Sequence, residues 1–266
     1  MLSSVHLRIR QVPITLVCAL CTLLAACGSS PDVPQLLVGA AASLEPMLAE
    51  LSEDFEAETG VELSFTFAAS GTLASQIREG APIDVFLSAN AGFMEELAND
   101  GFVVPDSLAH FADGVLVMVG SIGSPLDSHS LPGNQFISHV AVANPELAPY
   151  GAAAKRFLED SGQWRGVEAK IVFGESVLQA LQFVRSGNAD VGFVPRSLVI
   201  PNLPSGITSV QEITEADRLA QTVGVVSATD TPLLAGQFVD FLASSPLVGG
   251  VLAKNGYQAP RGGRAQ

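Results

Sequence analysis

The sequence predicts an α/β chain of two lobes, each a mainly parallel sheet flanked by helices, the two joined by two crossing strands. Three observations lead there. Short apolar runs alternate with helix-period stretches from Leu36 to Lys254, as in parallel sheets covered on both faces. The alternation comes in two series of similar size, parted by the Gly-, Ser- and Pro-rich stretch 120–135. Apolar strands stand on either side of the second series, at 115–119 and 222–226, placed to cross out of one lobe and back.

The first residues precede the fold. His6, Arg8 and Arg10 make a positive start, and the apolar run 12–24 is too short for a permanent bilayer span. Leu24-Ala25-Ala26-Cys27 then closes a secretory signal peptide over 1–26. That tetrapeptide resembles the bacterial lipobox, which implies cleavage before Cys27 and acylation of its thiol. The lipidated tether is 27–35, with Gly28-Ser29-Ser30-Pro31 as its flexible part. Cys18 and Cys21 leave with the leader, so the mature domain holds no disulfide and stands on its core.

Lobe one spans 36–115 and 226–260. Leu36 to Val38 is an uncharged strand, and residues 39–42 are all small. Ser43 sits where a helix N-cap belongs, with Pro46 in the first turn. Leu44, Met47, Leu48, Leu51 and Phe55 share one face of the helix that follows, which Gly60 stops. A strand at 61–67 runs into Ala68-Ala69-Ser70-Gly71, then a helix at 72–78 and a strand at 83–87. Ser88-Ala89-Asn90 leads to a third helix, with Ser88 and Asn90 read as strand end and cap.

Lobe two spans 116–225. Its elements are a strand at 139–143, a helix at 150–161, a strand at 170–173, a helix at 176–185 and a strand at 190–194. Two helices, at 231–242 and 246–254, end the chain before a frayed tail at 261–266.

The formal charge is −14, and the leader carries Arg8 and Arg10 but no acid, so its removal makes −16. Such a surface argues against nucleic acid and anionic lipid, leaving the lipid chain as the only membrane contact. It also opposes long-range steering of an anion. An anion site here has to work through local, directed hydrogen bonds in a shielded cleft.

Four helix starts supply such bonds: Ala42-Ser43, Ala69-Ser70, Pro149-Tyr150-Gly151 and Glu175-Ser176-Val177. Each follows a strand, where backbone N–H groups lack helical partners. None carries Lys or Arg. Neutral donors suit a small, fully ionised tetrahedral oxyanion, and a protonated one would set its own O–H against them.

The motifs Ala40-Ala41-Ala42-Ser43-Leu44, Phe67-Ala68-Ala69-Ser70-Gly71-Thr72 and Gly80-Ala81-Pro82-Ile83-Asp84-Val85 occur in order along the chain. Asn144-Pro145-Glu146, Ala148-Pro149-Tyr150-Gly151, Gly174-Glu175-Ser176-Val177 and Gly192-Phe193-Val194 follow. In this order and spacing the chain resembles the periplasmic molybdate-binding proteins of ABC importers. The resemblance implies a type II periplasmic binding fold that closes over molybdate or tungstate and delivers it to an ABC permease. It implies ligand contacts from Ser43 and Ser70 through hydroxyl and N–H, and from Tyr150 and Val177 through N–H alone. It implies a monomer at the periplasm or cell surface, held by lipid at Cys27, with no resident cofactor and molybdenum present only as the bound oxyanion. One departure stands out. Many relatives have a tyrosine after the Gly-x-Val strand, and this chain has Pro195, followed by Arg196 without an assigned role.

The residues leave open another oxyanion, such as sulfate or thiosulfate, and an oxyanion sensor in place of a transporter. Enzyme marks are missing: a serine hydrolase would need Ser43 or Ser70 paired with a base, and there is no Gly-x-Ser-x-Gly elbow, nor a Walker A pattern, His-Glu-x-x-His or surviving thiol pair. His110, His129 and His139 have no metal-like spacing. Tyr150 reads as a rim aromatic and Trp164 as packing near a helix end.

Overall fold

A computed structural model describes residues 33–121, 124, 126–200 and 202–260. The signal peptide, Cys27, most of the tether and the tail 261–266 lie outside the described residues.

The first lobe holds β1 (Gln35–Ala41), a 3-10 turn (Ala42–Leu44), α1 (Glu45–Thr59), β2 (Glu62–Ala68), α2 (Ser70–Arg78), β3 (Val85–Ser88), α3 (Ala91–Asn99) and β4 (Ala109–Gly114). The second holds β5 (Leu116–Gly120), β6 (Val140–Ala143), α4 (Pro149–Asp160), the short α5 (Trp164–Val167), β7 (Ile171–Gly174), α6 (Val177–Arg185), β8 (Val191–Pro195) and β9 (Ser209–Glu212). β10 (Leu219–Val225), α7 (Pro232–Ser244) and α8 (Pro246–Lys254) return to the first.

The two sheets repeat one plan. Their strand orders are β2-β1-β3-β10-β4 and β7-β6-β8-β5-β9. In each, three parallel strands meet one antiparallel strand. Val38 pairs with Phe65 of β2 and Val85 of β3, and Val140 pairs with Ile171 of β7 and Val191 of β8. β10 runs antiparallel between β3 and β4, and β5 does so between β8 and β9. Helices covering both faces are why the inner parallel strands β1, β3, β6 and β8 are almost wholly apolar.

Apolar residues close the layers. On one face of the first sheet Leu73, Ile77, Met94 and Leu97 from α2 and α3 pack on Phe86. On the other, Phe55 of α1 meets Phe238 and Phe241 of α7, ring centroids 5.0 and 5.4 Å apart. That larger core continues into the second lobe through Tyr150, Phe157 and Phe193. Each such side chain removed from water contributes about 1.5–3 kcal/mol. No single described helix is long and apolar enough to cross a membrane.

Pairing corrects one boundary. The strand expected at 222–226 as the return crossing, with lobe two closing at 225, is an inner strand of the first sheet: Thr222 pairs with Ser88 and Val223 with Leu87. The chain therefore crosses back between Glu212 and Leu219. An apolar run reads alike whether it links two sheets or sits inside one, and only its partners separate the cases. β4 and β9, which sequence periodicity did not mark, are the outer strands beside the two antiparallel ones.

The caps also differ. The 3-10 turn begins after Ala41, and Leu44 precedes α1, so Ser43 lies inside the turn and makes no side-chain cap bond. Ala69 occupies the N-cap of α2, which makes Ser70 its first helical residue. Asn90, in contrast, is a true cap whose Oδ1 accepts the Gly92 N–H at 2.6 Å.

Candidate functional site

The parallel strands of both sheets end on a single cavity. Ala41 from β1, Ala68 from β2 and Ala89 beyond β3 form its first-lobe wall, together with Ser43 and Ser70. Ala148, Pro149 and Tyr150 at the start of α4 and Val177 at the start of α6 form the second-lobe wall. All four residues expected at the site thus line one space. Its volume is about 10 Å³, on the scale of a single water site.

Ser43 is 1% exposed, and its Oγ has no hydrogen-bond partner. Because alanine takes the cap position, this hydroxyl is not committed to closing a helix end. Ser70 is fully buried, and its Oγ accepts the Ala89 N–H at 3.1 Å. A serine oxygen can accept and donate at once, so Ser70 is anchored through a lone pair with its proton still available. Ser43 belongs to the 3-10 turn, while Ser70, Tyr150 and Val177 all fall in first helical turns. First-turn N–H groups have no intrahelical acceptor. Ser176 caps α6 by accepting the Gln179 N–H at 3.3 Å, and Val177 beside it lines the cavity.

The two walls touch directly. The Gly71 N–H donates to the Leu147 carbonyl at 2.9 Å, from α2 in the first lobe to the turn before α4 in the second. A Cβ at 71 would lie 3.0 Å from both that oxygen and the Phe93 ring, so glycine permits the approach.

Tyr150 is not a rim aromatic. Its side chain is 1% exposed and reaches inward, and a Cβ on Gly114 would overlap its hydroxyl. The ring thus runs from the second-lobe helix start to the strand where the chain first crosses over. Burial pushes its phenol well above the usual range, and the nearby Tyr257 adds to this. The Ser43 hydroxyl beside it opposes the shift without making a well-formed hydrogen bond. The phenol stays protonated at any physiological pH.

No charged side chain lines the cavity. Among the described residues no group of His, Cys, Asp and Glu could hold a metal ion. Pro195 ends β8 and precedes a 3-10 turn, Arg196–Leu198, outside the cavity wall. Arg196 points away, 3.8 Å from Glu212 in a half-exposed ion pair and against Gly256. Trp164 packs on the core, with Lys155 Nζ 5.4 Å above its ring. Sequence reasoning missed Ala89, whose contribution is a backbone N–H without a side-chain signature. It also missed Ser197 and Tyr257, which lie behind Ser43 and are 154 and 214 positions from it in the chain.

Comparison with known proteins agrees with this fold. Residues 36–258 match the family model of the bacterial extracellular solute-binding proteins. The chain is 36% identical over 166 residues to the molybdate-binding protein of Rhodobacter capsulatus, covering 62% of this chain and 66% of that one. It is 37% identical over 186 residues to the molybdate-binding protein of Azotobacter vinelandii, covering 69% and 73%. The solved structure of the Azotobacter vinelandii periplasmic molybdate-binding protein superposes with a TM-score of 0.78 at 29% identity, covering 85% of this chain and 100% of that one.

Proposed function

From the premise that this chain belongs to the bacterial extracellular solute-binding proteins, we propose that it captures molybdate or tungstate between its lobes and delivers it to an ABC permease. The observation that carries this reading is the convergence of four helix starts on one cavity without a charged side chain, with a buried, unpartnered serine hydroxyl at its wall. The names of the relatives from Rhodobacter capsulatus and Azotobacter vinelandii support the choice of anion.

Ser43 and Ser70 donate their hydroxyls, and Tyr150 and Val177 their backbone N–H groups. Bonds to a charged acceptor are roughly twice as strong as neutral ones, and helix N-termini favour negative charge. Without a cationic side chain, the site reads shape and full ionisation. A protonated tetrahedral anion presents a donor to donors and is rejected. The walls hold no imidazole, carboxylate or amine, so neither serine has the base that nucleophilic catalysis requires. Acylated Cys27 holds the domain at the membrane, a reading supported by the Leu-Ala-Ala-Cys motif.

Titration calorimetry with molybdate, tungstate, sulfate and phosphate tests the assignment. Heat with the first two and none with the others is expected. Silence with molybdate and tungstate beside clear sulfate binding overturns it.

A further inference from the structure

Two hydroxyls hold the carbonyl of Ser43. Ser197 Oγ donates to it at 2.8 Å and the Tyr257 hydroxyl at 2.7 Å, and the two hydroxyl oxygens are 3.2 Å apart. All three residues are buried, at 1, 3 and 4% exposure. Ser197 belongs to the second lobe, in the turn after β8, where the Arg196 N–H also bonds the Val115 carbonyl at the first crossing. Tyr257 belongs to the first lobe, beside Gln258, which pairs with Asp113 of β4. The carbonyl carries two lone pairs, and each meets a donor from a different lobe. Burial keeps the Tyr257 phenol protonated far above neutral pH, so it remains a donor.

The Ser43 carbonyl, N–H and side chain share one Cα, so holding the carbonyl fixes the backbone from which the hydroxyl projects and limits its directions to a few staggered rotamers. The 3-10 turn supplies no side-chain cap, and Ser43 Oγ has no hydrogen-bond partner of its own. We propose that Ser197 and Tyr257 are positioning residues of the oxyanion site, which clamp the Ser43 carbonyl from behind and aim its hydroxyl into the cavity. Neither side chain lines the cavity; both act through Ser43. This inference rests on the oxyanion reading given above.

The test compares wild-type protein, Ser197→Ala, Tyr257→Phe, Ser43→Ala and the double variant Ser43→Ala/Ser197→Ala by calorimetry with molybdate, and by thermal unfolding without it. Each positioning variant removes one oxygen and keeps its packing. Loss of one neutral hydrogen bond predicts a roughly two- to twelvefold weaker affinity for Ser197→Ala and for Tyr257→Phe. In the Ser43→Ala background the Ser197→Ala effect shrinks, because the group it aims is gone. A purely structural role lowers the ligand-free melting temperature and leaves affinity alone, which overturns the proposal. So does an undiminished Ser197→Ala effect without the Ser43 hydroxyl. Wild-type protein that binds no molybdate removes the oxyanion reading itself. Wild-type binding with unaltered variants removes only this inference.

Discussion

Ser70 Oγ accepts the backbone N–H of Ala89 at 3.1 Å, while Ser43 Oγ, on the same wall of the cavity, has no partner. Two serines expected to do the same work are therefore tied to the fold unequally. One bonds the peptide beyond β3 and the other is free of any commitment of its own. Substitution tells them apart.

Ser70→Ala leaves the buried Ala89 N–H without an acceptor, so the ligand-free protein loses about 1–3 kcal/mol in denaturant unfolding. Ser43→Ala removes a hydroxyl that has no partner, so ligand-free stability stays within about 0.5 kcal/mol of wild type. Both weaken molybdate binding by about 1.5–3 kcal/mol in calorimetry, the range for a hydrogen bond to a charged group. Equal stability losses in the two variants contradict this asymmetry.

Val177 offers a direct test of a backbone donor. It is the first residue of α6, and Ser176 before it is extended, with φ −143° and ψ 169°. Proline is tolerated at a first helical position and after an extended residue. Val177→Pro thus keeps the helix and deletes one N–H, and affinity for molybdate falls by about 1.5–3 kcal/mol. Val177→Ala shortens the side chain, keeps the N–H and retains most of the binding. Calorimetry on both, with circular dichroism as a check on the helix, distinguishes the donor from the side chain.

Gly71→Ala puts a methyl 3.0 Å from the Leu147 carbonyl oxygen and from the Phe93 ring. Alanine suits a helix better than glycine by about 1 kcal/mol, which offsets part of the crowding against Phe93 in the ligand-free protein. Crowding at the lobe contact costs about 1–3 kcal/mol and appears as weaker molybdate binding. Small-angle scattering of the ligand-bound variant shows a larger radius of gyration than wild type. Wild-type affinity in this variant refutes the close approach as a requirement.

The chain has two tyrosines, Tyr150 and Tyr257, and burial raises the pKa of both phenols. In the unfolded chain they titrate near pH 10, as exposed phenols do. The folded state therefore holds two protons that the unfolded state releases above that pH. Their contribution to stability is fully present below about pH 10 and is lost as pH rises toward the folded values, by up to ~2.7 kcal/mol per unit for two protons. Tyrosinate absorbance should appear only with unfolding. In Tyr257→Phe the slope halves. Tyrosinate forming in a still-folded protein would falsify the burial argument.

Much of the molecule was legible in the residue string. The alternation from Leu36 onward marks an α/β chain, because strands covered on both faces must be apolar throughout. The small residues before Ser43 and Ser70, and the helix starts at Tyr150 and Val177, mark four donor-bearing junctions. These are local signals, set by the few residues on either side. Long-range pairing is of another kind. The strand at 219–225 looks the same in either lobe, and hydrogen bonding to Ser88 and Leu87 assigns it to the first. The serines at 43 and 70 look like caps, and the backbone angles of Ala41 and Ala69 give that position to alanine.

The sequence by itself determined the α/β class, the two series of elements, the acidic surface and the neutral character of the donors, because each depends on composition and short-range periodicity. Tertiary structure decided which strand belongs to which sheet, that the four junctions share one cavity, and that Ser197 and Tyr257 stand behind Ser43. Those facts depend on atoms brought together from up to 214 positions apart, and no local pattern encodes such a meeting.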